Sequence, residues 1–185
     1  MDSTTLAIVI AVIVVVGIVI AALVLRRRSD KLRSRFGPEY ERTVQETDSR
    51  RKAEAELRER QKRVEHYEIR PLTPSDRGRF VTQWQSVQAE FVDRPKDALA
   101  RADDLVTDVM RARGYPMTDF EQRSADLSVD HPDVVQNYRA GREIAIRHRS
   151  GQASTEDLRQ AMIHYRALFD ELVAESDSSA QRRAS

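Results

Sequence analysis

Between Leu6 and Leu25 the chain reads LAIVIAVIVVVGIVIAALVL, twenty residues without a charge, a hydroxyl or an amide side chain. Nothing else in the sequence restricts the fold as tightly. As a helix rising 1.5 Å per residue, such a run is about 30 Å long, the thickness of a bilayer's hydrocarbon core. A helix that is apolar on every side must be buried in protein or in lipid. A soluble core helix is seldom this long and this β-branched at a chain terminus, so the run predicts a transmembrane anchor over 6–25.

A cleaved secretory signal would need a basic start, a short apolar core and a small-residue cleavage site. Here the start is MDSTT, the core is long, and Ala21-Ala22 is followed by more aliphatics. An uncleaved single-pass anchor is therefore expected, with a signal peptide on an exported protein as the alternative. No Lys or Arg precedes the run, whereas Arg26, Arg27, Arg28, Lys31, Arg33 and Arg35 follow it against the single acid Asp30. The positive-inside rule then places the N-terminus outside and the remainder in the cytoplasm, at a bacterial inner (cell) membrane. These six cations form a collar expected to face lipid, and anionic headgroups attract each by about 1 kcal/mol near the surface. The lipid bilayer is thus the first expected partner.

Beyond the collar the balance reverses. Residues 37–185 hold 25 basic and 28 acidic side chains, which removes the electrostatic case for nucleic acid. The absence of cysteine excludes disulfides, thiolate zinc sites and cysteine nucleophiles. Arg outnumbers Lys 27 to 4, a bias that GC-rich codons favour and that suggests a bacterial source.

Residues 26–70 read as the basic collar and a charged helical stalk. Phe36-Gly37-Pro38 interrupts the helix, and Pro38 suits the first turn of the next. From Glu39 to Arg70, 18 of 32 residues are charged, with acid-first i,i+4 pairs such as Glu46/Arg50, Asp48/Lys52 and Glu54/Arg58. Apolar residues are sparse and sustain no heptad. An exposed stalk is expected, about 46 Å long if continuous. A solvated single helix is preferred over self-pairing as a short coiled coil, which would make a homo-oligomer through the stalk.

The string IRPLTPSD ends the stalk, and Thr73-x-x-Asp76 with Pro74 is a capping box. Residues 71–175 then read as a small bundle of about five helices. Their inward stripes are Phe80, Trp84, Val87 and Phe91; Leu99, Ala102, Leu105, Val106, Val109 and Met110; Phe120 and Leu127; Val134, Tyr138, Gly141, Ala145 and His148; and Leu158, Ala161, Met162, Tyr165, Leu168, Phe169 and Leu172. Gly114 fits the position after a helix end, Thr118-x-x-Glu121 and Ser154-x-x-Asp157 read as caps, and Gly141 predicts close helix approach. The tail over 176–185 is polar and expected to be disordered. The fold class is all-α throughout.

Site-like residues are few. Asp130-His131-Pro132-Asp133 could gather two carboxylates and an imidazole for a metal or for acid–base chemistry. The favoured reading is an N-cap Asp with proline in the first turn, because Asp93-Arg94-Pro95 repeats the pattern without a histidine. His66, His148 and His164 show no metal-ligand spacing, and no phosphate-binding or nucleophile motif occurs. Trp84, the lone tryptophan, is expected in the core, with a binding hot spot as the sharper alternative. Trp84 and His131 are the candidate interaction residues. No catalytic residue, metal or cofactor is expected, and the chain is not expected to be an enzyme.

The strings IRPLTPSDRGRF, WQSVQAEFVDRP, VMRARGYP, DFEQRSADLSVDHPDVVQNYR and ASTEDLRQAMIHYRALFDELV resemble a family of uncharacterised bacterial proteins with a single N-terminal membrane span and a helical cytoplasmic domain. The resemblance covers most of residues 69–173. It implies this fold and location and carries no activity, cofactor or partner. The expectation is a membrane-tethered, non-enzymatic helical module that binds an unidentified cytoplasmic protein. The alternatives are a self-associating structural stalk of the cell envelope and a cryptic metal-dependent enzyme built on Asp130, His131 and Asp133.

Overall fold

A computed structural model describes residues 3–183, with side chains at 12–13, 15–20 and 22–174. Eight helices and no strand occur among them: α1 (Ser3–Phe36), α2 (Pro38–Thr47), α3 (Arg50–Val64), α4 (Pro74–Asp93), α5 (Pro95–Arg113), α6 (Phe120–Asp130), α7 (Val135–Arg149) and α8 (Thr155–Arg183). Among the described residues no helix is long and apolar enough to cross a membrane. The expected span over 6–25 lies partly outside them, because the side chains at 6–11, 14 and 21 are not described. The side chains of the expected disordered tail, 176–185, lie outside them entirely.

The chain divides into two compact units, Met1–Arg58 and Glu59–Ser185. In the first unit the charged stretch is not one rod. Gly37 adopts φ 48°, Pro38 starts α2, and Asp48 ends it with φ 49° in the left-handed region. Asparagine-like side chains tolerate that conformation, which makes Asp48 a natural stop. The expected i,i+4 pairs Glu46/Arg50 and Asp48/Lys52 straddle this break. Arg42 pairs with Glu46 within α2 instead, and Glu54 with Arg50 and Arg58 within α3. Leu32, Phe36, Tyr40, Ala53 and Leu57 are buried, so the helices fold over a small core where a solvated stalk was expected.

The second unit begins earlier than the prolines at 71 and 74 suggest. Arg63 Nε donates to Asp126 at 2.8 Å and Tyr67 Oη to the same carboxylate at 3.0 Å, which ties the end of α3 to α6. The boundary therefore falls inside α3, and the stretch read as the end of a stalk packs with the bundle.

Five helices, α4 to α8, make the bundle. α8 packs along both α5 and α7, and α4 along α5. The stripes read from α4, α5 and α8 are buried as expected, save Phe91, which is partly exposed. α7 is rotated slightly: Val135, Tyr138, Gly141 and Ile144 face inward, and His148 is only half-buried. Gly141 brings α7 against α8, where an added Cβ would lie 3.2 Å from the Tyr165 ring. Gly114 closes α5 with φ 95°, while Tyr115 N–H donates back to Met110 O at 3.0 Å.

The capping boxes at α4 and α8 hold. Asp76 N–H donates to Thr73 Oγ1 at 3.1 Å, and Asp157 N–H to Ser154 Oγ at 3.1 Å, with Ser154 N–H returning to the Asp157 carboxylate at 2.8 Å. At α6 the cap is Asp119, one residue beyond the expected Thr118, and it accepts from Gln122 N–H at 2.9 Å. An ionised carboxylate facing the positive end of a helix is the stronger acceptor.

Both D-x-P strings are corrected. Asp93 is the last residue of α4 and Asp130 the last of α6, so neither caps the helix that follows. α5 starts after Arg94 and α7 after Val134, each without a side-chain cap. The preceding helix takes the aspartate because its amide can still bond four residues back, whereas proline, lacking an N–H, cannot.

Candidate functional site

From Val12 to Leu25, α1 carries its described aliphatic side chains outward. Val12, Ile13, Val15, Val16, Ile18, Val19, Ile20, Leu23, Val24 and Leu25 are all exposed, from 42 % at Val24 to 65 % at Ile13. At 100° per residue these positions spread over about 260° of the circumference, too wide for one face to be kept for a partner helix. The basic collar follows on the same uninterrupted helix, and all six of its cations are exposed.

Ser29, inside the collar, is buried. Its hydroxyl donates to Glu54 and accepts from Arg50. Tyr40 Oη donates to the same Glu54 oxygen at 3.0 Å and accepts from Arg50 Nε at 3.0 Å. This network joins α1, α2 and α3 just below the cations. Burial pushes the Glu54 carboxyl up, but the hydrogen bonds from Ser29, Tyr40 and Arg50 outweigh it and hold the group below its ordinary value.

In the second unit Trp84 is buried and stacks on Phe169, ring centroids 4.7 Å apart and planes 16° from parallel. Together they line a groove of about 280 Å³ between α4 and α8, with Val81, Val173 and the polar Arg77, Gln85, Gln88, Arg166 and Asp170. The indole N–H is buried and meets no acceptor among the described residues. A buried donor without a partner costs about 1–3 kcal/mol. Trp84 is thus a core residue, as expected, that also walls this groove.

His131 is brought to neither a metal nor a groove. It is 2 % exposed and caps α6 through its backbone N–H, which donates to Leu127 O at 2.9 Å. Nε2 lies 3.5 Å from Arg113 Nη1, and Nδ1 lies 3.5 Å from Glu171 Oε1. Arg113 also donates to Leu172 O at 3.2 Å, so this cluster bridges α5, α6 and α8. Asp130 and Asp133 are exposed, facing away from the buried imidazole. Among the described residues no group of three His, Asp or Glu is gathered that could hold a metal. Of the other histidines, His164 Nδ1 meets Asn137 Oδ1 at 2.8 Å and His66 Nδ1 the Lys62 carbonyl at 2.6 Å.

Two polar clusters, one buried and one half-buried, carry little mark in the sequence. Asp126 is 1 % exposed and accepts from Arg63, Tyr67 and Gln122 Nε2, the last at 2.8 Å. Only the Gln122/Asp126 pair, four apart on one helix, has local spacing that could have signalled it. Asp103 on α5 accepts from Arg142 on α7 at 3.0 Å, and Arg142 lies over the Phe120 ring. Burial pushes the nearby Tyr138 and Tyr165 hydroxyls up, so both keep their protons. Such clusters fix helix registers. No known protein family, no characterised protein and no solved structure matches this chain.

Proposed function

We propose that this protein is a membrane-tethered, non-enzymatic helical interaction module. Its anchor is the run over 6–25, its N-terminus lies outside, and its bundle works in the cytoplasm on a protein partner. The observation that carries this reading is α1, whose described aliphatic side chains from Val12 to Leu25 are exposed immediately before exposed cations. Water would not tolerate ten such side chains in one helix, whereas lipid would solvate every face of it. Support for the interaction role comes from the Trp84 groove, where a donor lacking an acceptor and a stacked aromatic pair adjoin polar side chains. Interface hot spots are rich in such tryptophans.

Single cysteines at Ser3→Cys and Ala180→Cys test the tether. In intact cells a membrane-impermeant maleimide should label position 3 alone, with position 180 labelled only after lysis. The reverse pattern would overturn the orientation, and recovery of the chain in the soluble fraction would overturn the anchor. For the groove, a photo-crosslinking residue at Gln88 in the full chain should give one discrete protein adduct, absent when the crosslinker replaces the exposed Asp108 on α5. Equal adducts from both positions would remove the groove from the reading.

A further inference from the structure

The six collar cations are not equivalent, and the difference follows the helix. Arg33 lies 2.8 Å from Glu41, and Arg35 also has a partner. Arg26, Arg27, Arg28 and Lys31 are exposed and make no ion pair or hydrogen bond through their side chains among the described residues. Neutralisation by the protein's own acids therefore starts only at Arg33, about 12 Å along the axis from Leu25.

The free cations also share a side. Ser29, Leu32 and Phe36 are the buried residues of this part of α1. On a helical projection those three fall within about 60° of arc, and Arg26, Arg27, Arg28 and Lys31 spread over the opposite 200° or so. Asp30 is the one acid on that arc, which leaves a net charge of +3 there. The four cations occupy the first 9 Å or so after the apolar run, about the depth of one headgroup layer. An isolated soluble helix would gain from acids placed beside them, and α2 and α3 supply six acidic residues without pairing one with these cations.

We propose that this crescent is a recognition surface for anionic phospholipid headgroups, so that the protein gathers anionic lipid around α1. The inference rests on the membrane reading and adds a lipid class to it. Guanidinium groups bind phosphate oxygens in pairs, and a headgroup without a compensating ammonium leaves that attraction whole.

The test uses the full chain reconstituted in phosphatidylcholine vesicles containing about one-fifth phosphatidylglycerol, with spin-labelled forms of each lipid as probes. At low salt the motionally restricted phosphatidylglycerol should exceed phosphatidylcholine by about threefold or more. High salt should bring the two toward parity. The preference should vanish in R26Q/R27Q/R28Q/K31Q and persist in R33Q, whose cation already has Glu41. Equal partition at low salt, or a preference that survives the quadruple change, would overturn the lipid site while the anchor stands. Failure of the chain to float with the vesicles would overturn the anchor, and the lipid site with it.

Discussion

α1 and α8 are the two longest helices among the described residues, at 34 and 29 residues, and they dispose of their apolar side chains in opposite ways. On α8, Leu158, Ala161, Met162, Tyr165, Leu168, Phe169 and Leu172 recur at three- and four-residue intervals and are at most 8 % exposed. On α1 the aliphatics form an unbroken run, and those described from Val12 to Leu25 are exposed. A stripe can be covered by neighbouring helices and its back left to water, which makes a bundle. A continuous run has no back, and no small set of helices can enclose it. The two helices thus demand different surroundings, though both are helical for the same local reasons.

That contrast gives the largest predicted effect. Leu168→Ala removes a fully buried side chain and should lower bundle stability by about 2–5 kcal/mol. The matched Val19→Ala on α1 should change it by less than about 0.5 kcal/mol. Denaturant titration followed by the fluorescence of Trp84, the single tryptophan, reads both. Equal losses would mean that α1 packs on protein after all.

Next come two glycines. Gly114→Ala places a Cβ 2.5 Å from the Glu68 carbonyl oxygen at a φ of 95°, and should cost about 2 kcal/mol or more. Gly17→Ala meets nothing within 4 Å and should leave the same titration unchanged. A smaller difference separates two ion pairs. Arg63→Ala strips a donor from the buried Asp126 and should cost about 1.5–3 kcal/mol. Arg33→Ala breaks a pair exposed at 67 % and 50 %, and should cost under about 1 kcal/mol.

The smallest effect lies in the first unit and is confined to acid. Glu54 is held below its ordinary value near 4.5, so the stability it lends is complete above that pH and is lost as pH falls through the lowered value. Amide exchange in α2 and α3 should accelerate below about pH 4.5, and Glu54→Gln should flatten that dependence. A pH-independent exchange rate in the unaltered chain would show that the Ser29–Tyr40–Arg50–Glu54 network does not hold these helices together.

Most of the bundle is legible in the sequence because its information is local. Periodic apolar positions, two capping boxes and Gly114 each report the structure of a few neighbouring residues. The misreadings arise where local signals compete. Asp93 and Asp130 each end one helix and precede a proline, and spacing alone cannot say which helix owns an aspartate. The stalk was read from its charge, which hides the buried Phe36, Tyr40, Ala53 and Leu57, each separated from the next by polar residues. The candidate site was legible in part: the collar and Trp84 stand out, but nothing near Trp84 in the sequence announces Phe169 or the groove they share.

By itself the sequence determined the helical class, the five-helix bundle with most of its inward faces, and the uncharged aliphatic run over 6–25. These follow from short-range rules, in which side-chain chemistry at intervals of three and four residues sets which surface needs cover. Only the tertiary structure decided that α2 and α3 fold over a core, that His131 is locked under Arg113, and that Arg33 is neutralised while Arg26, Arg27, Arg28 and Lys31 are not. Those outcomes depend on partners as much as 59 residues apart, as for Arg113 and Leu172 beside His131, and no local pattern encodes a meeting at that distance.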